Sequence, residues 1–265
     1  MTIRVAIHGA AGRMGQRLVA LGAADEAVEL VAALDNAGAP NAGCDAGELA
    51  GAGTIGVPIS ADWPEACDAV IDFSVPDATD SLVEECVRRR FPLVYATTGI
   101  EAEQLQRIEA AAASIPIVKA ASMSTAVNLT MKLAEIAGRT LKDLPSGVDV
   151  EILERHHRFK EDSPSGTALA FGKILADAMD KPKAAHGREG RVGARPADEI
   201  GYHAIRTGDN PGEHTIVFGM LGETIELRVA ATNRDCYAQG AYTAAKWIKG
   251  KPPGLYDMQD VLGLK

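Results

Sequence analysis

The chain has 265 residues, is 46% apolar and carries a net charge of −9, so it can build one large domain or two ordinary ones. Its isoelectric point of 5.2 argues against a nucleic-acid partner. A run of about 18 apolar residues, which a membrane-spanning helix needs, is not found. Four cysteines without regular spacing indicate free thiols in a reducing compartment. Because the N-terminus begins with a strand pattern rather than a signal peptide, we expect a cytoplasmic protein.

The first 35 residues follow a strand, glycine turn, helix, strand order that ends in an acid. Gly9 permits a tight turn, Gly12 allows the backbone to approach a pyrophosphate, and Gly15 allows close packing of helix on strand. Asp35 lies 20 residues after Gly15, where a carboxylate can bond a ribose 2′-hydroxyl. The glycine spacing is G-x-x-G-x-x-G rather than the commoner G-x-G-x-x-G. Its context nevertheless favours a dinucleotide site over a turn that only packs.

The residue after Asp35 bears on which dinucleotide is used. A 2′-phosphate would be repelled by Asp35 and would need a cation nearby, but Asn36 follows instead of Arg. Arg13, in the glycine turn, is the nearest cation that the sequence offers. We therefore expect both NADH and NADPH to serve, with NADH at least as good.

Three more strand patterns follow, alternating with helices that begin near Pro76 and Glu101. They predict a Rossmann-like, doubly wound parallel sheet, although residues 37 to 67 are hard to assign. Ligands bind such sheets at the carboxyl ends of the strands. This edge should carry Ser74, Thr97, Thr98 and the stretch Ala121 to Met123.

The pattern changes near Ser124. Two further helices and four strands predict an α+β domain with a mixed, mainly antiparallel sheet, and Lys181 to Glu199 is expected to be a mobile loop. A closing helix from Cys236 is expected to return to the first domain. The predicted domains are a dinucleotide-binding domain of residues 1–123 plus 236–265, and a substrate-binding and oligomerisation domain of residues 124–235.

One segment of the second domain gathers groups that transfer protons or bind anions. His156, His157 and Lys160 lie close together in an otherwise acidic chain. Ser165 is a candidate N-cap for the next helix, so Gly166 and the following Thr would place free backbone N–H groups at its positive end. Acid–base groups beside an anion cradle suggest a site for a carboxylate or phosphate ligand.

Two simpler interpretations of this segment are possible. The histidine pair could belong to a solvated turn, but its closeness to a lysine and a helix start favours a functional site. A metal site is rejected, because the segment has no HExxH pattern and the cysteines are scattered.

Several motifs, taken in order, resemble one family. They are VAIHGAAGRMG at the start, DAGELAG (45–51), YATTG (95–99), HHRFKEDSPSGTA (156–168), GDNPGEHT (208–215) and GLYDMQDVLG (254–263). The chain is similar from end to end to the 4-hydroxy-tetrahydrodipicolinate reductases (dihydrodipicolinate reductases) of bacterial lysine and diaminopimelate biosynthesis.

This resemblance implies an NAD(P)H-dependent reductase that acts on a cyclic imine dicarboxylate as a homotetramer built through the sheets of the second domains. His156 matches the family's proton donor and acceptor, and Lys160 matches its second proton donor. The positions matching substrate contacts are His157, Gly166 and Thr167. Those matching cofactor contacts are Gly9, Ala10, Ala11, Gly12, Arg13, Met14, Asp35, Ala96, Thr97, Thr98, Ala120, Ala121, Ser122 and Met123.

Departures from the family pattern concern the cofactor side. The family often has Asn-Phe where Ser122 and Met123 stand, and often Arg where Asn36 stands. Gly is also usual in the family at the positions of Ala96 and Ala126. These differences bear on cofactor preference and affinity. The change at Ser122 and Met123 also keeps open an imine reductase or amino-acid dehydrogenase with another substrate on the same scaffold. A non-catalytic dinucleotide sensor is the third alternative, but it should lack the proton donors that His156 and Lys160 supply.

Overall fold

The computed structural model describes residues 2–265. These residues form two compact units: one comprises the described residues through Thr125 together with Arg234–Lys265, and the other is Ala126–Asn233. Within the described chain, every helix is too short or too polar to cross a bilayer.

The first unit is built on a seven-stranded sheet in which every pair of neighbouring strands is parallel. Its strands are β1 (Ile3–His8), β2 (Val28–Leu34), β3 (Ile59–Ser60), β4 (Ala69–Asp72), β5 (Leu93–Tyr95), β6 (Pro116–Lys119) and β12 (Gly254–Tyr256). The order β12-β6-β5-β4-β1-β2-β3 reverses direction between β1 and β4. This is the topological switch point at which doubly wound sheets bind ligands.

Helices cover both faces of this sheet. They are α1 (Arg13–Ala24), α2 (Ala46–Leu49), α3 (Thr79–Arg89), α4 (Ala102–Ala111), α7 (Asp235–Ile248) and α8 (Met258–Val261), with a 3-10 turn at Pro76–Ala78. One core cluster contains Leu18 of α1 and Ala241 of α7 together with Ile7. The other contains Leu82 of α3 and Ile108 of α4. Burial on both faces explains why these strands are continuous apolar runs.

The predicted parallel sheet is confirmed, and the elements that the sequence did not reveal are short. α2 and β3 lie within residues 37–67, and β12 and α8 follow the closing helix. Elements of two to four residues span too little chain to show a helical or strand period.

The second unit packs α5 (Thr125–Leu141) and α6 (Gly166–Met179) on a five-stranded sheet. Its strands are β7 (Asp149–His156), β8 (Lys183–His186), β9 (Glu199–Arg206), β10 (Glu213–Met220) and β11 (Glu223–Ala230), in the order β11-β10-β7-β9-β8.

The predicted mixed sheet is confirmed: β10 pairs antiparallel with β11 and β7, whereas β9 pairs parallel with β7 and β8. One detail of the prediction for this unit is wrong. The segment Lys181 to Glu199, expected to be a loop, contains β8. This edge strand of four residues is too short for its alternation to be recognised.

The alternation of buried and more exposed side chains along β7 places two site residues on its buried face. Val150 and Ile152 are fully buried in the core against α6, whereas the residues that follow them, Glu151 and Leu153, point to the other face. The same period of two carries Glu154 and His156 to the core side at the end of the strand. On the buried face of β7, the ionisable side chains of Glu154 and His156 therefore follow the apolar side chains of Val150 and Ile152.

Candidate active site

The glycine turn after β1 fits a dinucleotide. Gly9 has φ +80°, and a Cβ there would lie 2.8 Å from the Phe73 carbonyl oxygen. A Cβ on Gly15 would lie 2.1 Å from the Gly9 carbonyl oxygen, so α1 contacts the turn directly. Gly12 is the N-cap of α1 and has no side chain to cap the first N–H groups. The turn therefore presents backbone donors at the positive end of a helix, as a pyrophosphate requires.

Asp35 lies against this turn, as the motif predicts. One carboxylate oxygen accepts a hydrogen bond from the Ala11 N–H at 2.8 Å, and the other accepts one from the Asn36 N–H at 2.8 Å. Because each carboxylate oxygen has a second lone pair, Asp35 retains the capacity to accept from a ribose hydroxyl.

A buried carboxylate joins the ends of three neighbouring strands. Asp72, fully buried at the end of β4, accepts a 2.6 Å hydrogen bond from the Thr97 hydroxyl, which follows β5. Its second oxygen lies 2.6 Å from Nδ1 of His8, the last residue of β1. Sequence reasoning missed His8 and Asp72, because a single acid inside a strand gives no signal until its partners are known.

The remaining predicted cofactor residues lie along the same edge of the sheet. Ala96 follows β5, and its N–H donates to the Asp72 carbonyl. Thr98, beside it, is exposed. The stretch Ala120 to Met123 follows β6, and the Met123 side chain is buried in the first core.

The second unit holds the predicted acid–base segment, which turns away from β7 directly after His156. The loop that follows β9 fixes this turn through two backbone hydrogen bonds. The Thr207 N–H donates to the His156 carbonyl at 2.9 Å, and the Arg158 N–H donates to the Gly208 carbonyl at 3.1 Å. The motif at 208–215 therefore supports the one at 156–168.

His156 is held by a buried carboxylate. Its Nδ1 lies 2.6 Å from a carboxylate oxygen of Glu154, which is 2% exposed. Arg206 of β9 donates to both oxygens of Glu154, at 2.7 and 2.8 Å. The Ser165 N–H donates to the same carboxylate at 3.0 Å. Glu154 and Arg206 were not predicted, because an acid on the core face of a strand has the spacing of an ordinary core position.

Ser165 links the helix start to a second buried histidine. As predicted, it is the N-cap of α6, and its hydroxyl accepts from the Ala168 N–H at 3.2 Å. The same hydroxyl lies 3.1 Å from Nε2 of His214, whose ring stands edge-on to His156 with centroids 5.2 Å apart. His214 lies in the motif at 208–215, but no local pattern predicts that it lies beside His156.

Burial decides the protonation of the two histidines. It lowers the pKa of His156 below its ordinary value, although the Glu154 carboxylate opposes this. Burial lowers the pKa of His214 to about 4, with the positive charge of a protonated His156 adding to the effect. Burial alone would raise the pKa of Glu154, but hydrogen bonds from Arg206 and His156 lower it. At neutral pH the site therefore holds a carboxylate and two uncharged imidazoles.

Lys160 and the start of α6 complete the group. Lys160 Nζ lies 2.7 Å from a carboxylate oxygen of Asp162. His157 is partly buried, with its ring 6.3 Å from that of the exposed Phe159. Gly166 and Thr167 occupy the first turn of α6, and a Cβ on Gly166 would meet nothing within 4 Å. The helix N-terminus is thus open to a ligand. Among residues 2–265, no cluster of three His, Cys, Asp or Glu side chains is arranged to bind a metal.

A dinucleotide turn in one unit and a buried acid–base site in the other define the class of NAD(P)H-dependent oxidoreductases. The comparisons specify the family. Residues 3–123 match the family model for the N-terminus of dihydrodipicolinate reductase, and residues 126–262 match the model for its C-terminus. The chain therefore belongs to the dihydrodipicolinate reductase family.

Relatives of known name agree along the full length. The chain is 59% identical to a 4-hydroxy-tetrahydrodipicolinate reductase from Rhodopirellula baltica, covering 99% of this chain and 96% of the relative. It is 51% identical to one from Alkalilimnicola ehrlichii, covering 100% of both chains.

Among solved structures, the dipicolinate-bound dihydrodipicolinate reductase from Paenisporosarcina sp. TG-14 has a TM-score of 0.76 and 27% identity, covering 98% of this chain and 99% of that chain. An amine dehydrogenase from Mycobacterium smegmatis has a TM-score of 0.59 at 15% identity, covering 96% of this chain and 94% of that chain. At this identity the likeness to the amine dehydrogenase is one of fold.

Proposed function

We propose that the chain reduces 4-hydroxy-tetrahydrodipicolinate to tetrahydrodipicolinate with NAD(P)H, in lysine and diaminopimelate biosynthesis. One structural observation supports this proposal independently of family membership. The second unit brings together a buried proton-transfer group, a lysine and an open helix N-terminus, which are the groups that a cyclic imine with two carboxylates needs. The alternative of a different substrate rests only on the change at Ser122 and Met123, because the amine dehydrogenase shares the fold alone.

The first unit is proposed to hold the cofactor, with 1–123 plus 236–265 as the dinucleotide-binding domain. When bound, the reduced nicotinamide supplies the hydride. The turn from Gly9 to Met14 would hold the pyrophosphate, and Asp35 would bond the adenosine ribose. The residues after β5 and β6, Ala96 to Thr98 and Ala120 to Met123, would orient the nicotinamide end.

Residues 124–235 are proposed to hold the substrate. The free N–H groups of Gly166 and Thr167, with the positive end of the α6 dipole, suit one carboxylate. Lys160 suits a second negative group, and His157 lies in the same turn. Since two negative charges approach one positive lysine and a helix end, substrate binding makes the whole site more negative.

That change of charge lets His156 act as the acid. After loss of water, the substrate contains a conjugated C=C–C=N system. Hydride adds to the far carbon of this system, the electron pair moves to the ring nitrogen, and a proton must be delivered. Burial keeps His156 uncharged in the free site, but a bound dianion favours its protonated form. His156 would then deliver the proton, and Lys160 would stabilise the developing negative charge.

The proposal is tested by measuring turnover. The substrate is generated in the assay from pyruvate and aspartate semialdehyde by the preceding synthase, and oxidation of NADH or NADPH is followed by absorbance. We expect rapid turnover, and His156→Gln and Lys160→Ala should each lower kcat about 10²–10⁴-fold. NADH binding, followed by nicotinamide fluorescence, should be unchanged in both variants. Full kcat in both would overturn the assigned roles.

Three further properties belong to the same proposal. Asp35 followed by Asn36 supports use of NADH at least as well as NADPH; a hundredfold preference for NADPH would contradict it.

The sheet of the second unit packs its helices on one face, which supports a homotetramer formed through the other face. Sedimentation velocity tests this oligomeric state. Four free cysteines support a cytoplasmic location, which fractionation of expressing cells tests.

A further inference from the structure

We propose that Glu154, clamped by Arg206, is a positioning residue that fixes the His156 ring and ties it to the substrate-binding end of α6. The inference rests on the proposed role of His156 as proton donor. Glu154 and Arg206 lie outside the motif at 156–168, but they determine the orientation and the proton affinity of His156.

The geometry assigns the two ring nitrogens different tasks. Nδ1 of His156 lies 2.6 Å from the Glu154 carboxylate, on the buried side of the ring. With Glu154 ionised, Nδ1 carries a proton and donates to it, so Nε2 is the nitrogen left for substrate. The second oxygen of Glu154 accepts from the Ser165 N–H at 3.0 Å. One carboxylate therefore holds both the proton donor and the residue that caps α6.

Arg206 makes this carboxylate rigid. Its two terminal nitrogens bond both oxygens of Glu154, and they also donate to the carbonyls of Ile205 and Asp162. Because both terminal nitrogens of the planar guanidinium donate to the carboxylate, the carboxylate can rotate little. Asp162 belongs to the turn that carries Lys160, so the clamp also supports that turn.

Glu154 is also the anion nearest the imidazole among the groups that face it. Those groups come from several elements: Glu154 on β7, Lys160 on the following turn, Arg206 on β9 and His214 on β10. Lys160 and Arg206 disfavour a positive charge on His156, and Glu154 alone among the four favours it. Without Glu154, protonation of His156 would be opposed by two cations and by burial.

The test replaces the carboxylate by its neutral isostere, Glu154→Gln. We expect kcat to fall about 10–100-fold while NADH binding is unchanged. Activity that requires protonated His156 falls as pH rises through the pKa of that residue. Because Glu154 raises this pKa, the descending limb of kcat/KM should move to lower pH in Glu154→Gln. Glu154→Asp, which keeps the charge, should restore part of kcat and part of the shift.

Glu151→Gln is the matched control. Glu151 lies on the same strand and bonds Arg188, Arg195 and His203, but it faces away from the core. A merely structural role for Glu154 would predict similar behaviour in both variants. We expect the Glu151→Gln pH profile to superimpose on that of the wild type.

The outcomes separate this inference from the proposed function. A Glu154→Gln profile that superimposes on the wild type, while His156→Gln is impaired, overturns the positioning role alone. Full kcat in His156→Gln, or no turnover by the wild type, overturns the proposed function instead. A shift that appears equally in Glu151→Gln also overturns the positioning role.

Discussion

Lys160 Nζ lies 2.7 Å from a carboxylate oxygen of Asp162, two residues along the same turn. The lysine proposed to meet a substrate carboxylate is thus already paired with a carboxylate of the protein. Burial opposes the ionisation of Asp162, but hydrogen bonding and the charge of Lys160 lower its pKa, so this carboxylate is ionised at neutral pH. The substrate must therefore compete with Asp162 for the lysine.

Removing the competitor should strengthen substrate binding. Asp162 is 59% exposed, so its pair with Lys160 contributes roughly 0.2–1 kcal/mol. We expect Asp162→Asn to lower KM for the substrate by up to about fivefold with little change in kcat. Steady-state kinetics measure this, with Asp198→Asn, which breaks an exposed pair with Lys183, as control. A rise in KM would show that Asp162 positions Lys160 rather than competing for it.

Gly166→Ala should separate stability from binding. The added Cβ would meet no protein atom within 4 Å, and alanine favours the helix and restricts the unfolded chain. We expect the free energy of unfolding to rise by about 0.4–1 kcal/mol. The methyl group would occupy space beside the N–H groups proposed for a carboxylate, so KM should rise about tenfold. Urea unfolding and kinetics on one preparation test both, and an unchanged KM would contradict this use of the helix end.

Asn36→Arg should shift the cofactor preference. Asn36 is exposed beside Asp35, where a new cation would attract the 2′-phosphate of NADPH. We expect the ratio of kcat/KM for NADPH to that for NADH to rise about tenfold. Ala42→Arg adds the same charge to the same loop and should leave the ratio near that of the wild type. Equal effects of the two variants would indicate a general electrostatic influence rather than a contact at the ribose.

Asp68 should make folding sensitive to acid. Burial opposes its ionisation, but hydrogen bonds from Arg4 and Lys249 lower its pKa from 3.8 to about 2. A group whose pKa is lowered by folding stabilises the protein above its unfolded pKa and loses that contribution as pH falls toward 2. We expect Asp68→Asn to cost about 2 kcal/mol at pH 7 and to flatten the fall in stability between pH 4 and 2. Chemical unfolding across pH measures this, with Asp177→Asn, an exposed position on α6, as control. An unchanged slope would contradict it.

Local sequence patterns predicted those contacts whose residues lie close together in the chain. The packing of Gly15 on Gly9 and the Ser165 cap were found in this way, because in each case the partner lies within six residues. Glu154 and Arg206 are 52 residues apart and become partners only because β7 pairs with β9. His8 and Asp72 likewise meet through strand pairing.

A period of two or 3.6 residues says which way a side chain points, but it does not say which distant residue it meets. This is why the polar residues that surround the catalytic segment were missed while the segment itself was predicted. The parallel pairing of the first sheet was predictable for a different reason. There, a repeated strand–helix alternation restricts the topology.

The return of the chain to its first unit constrains the order of events at the ribosome. α7 supplies Ala238, Ala241 and Ile248 to the core beside β1, and β12 forms the edge of the sheet next to β6. These elements are translated after the whole second unit. The nascent N-terminal segment therefore leaves the exit tunnel with one apolar face uncovered, while the whole of Ala126–Asn233 has already been synthesised. The unit that begins first is therefore the one that is completed last.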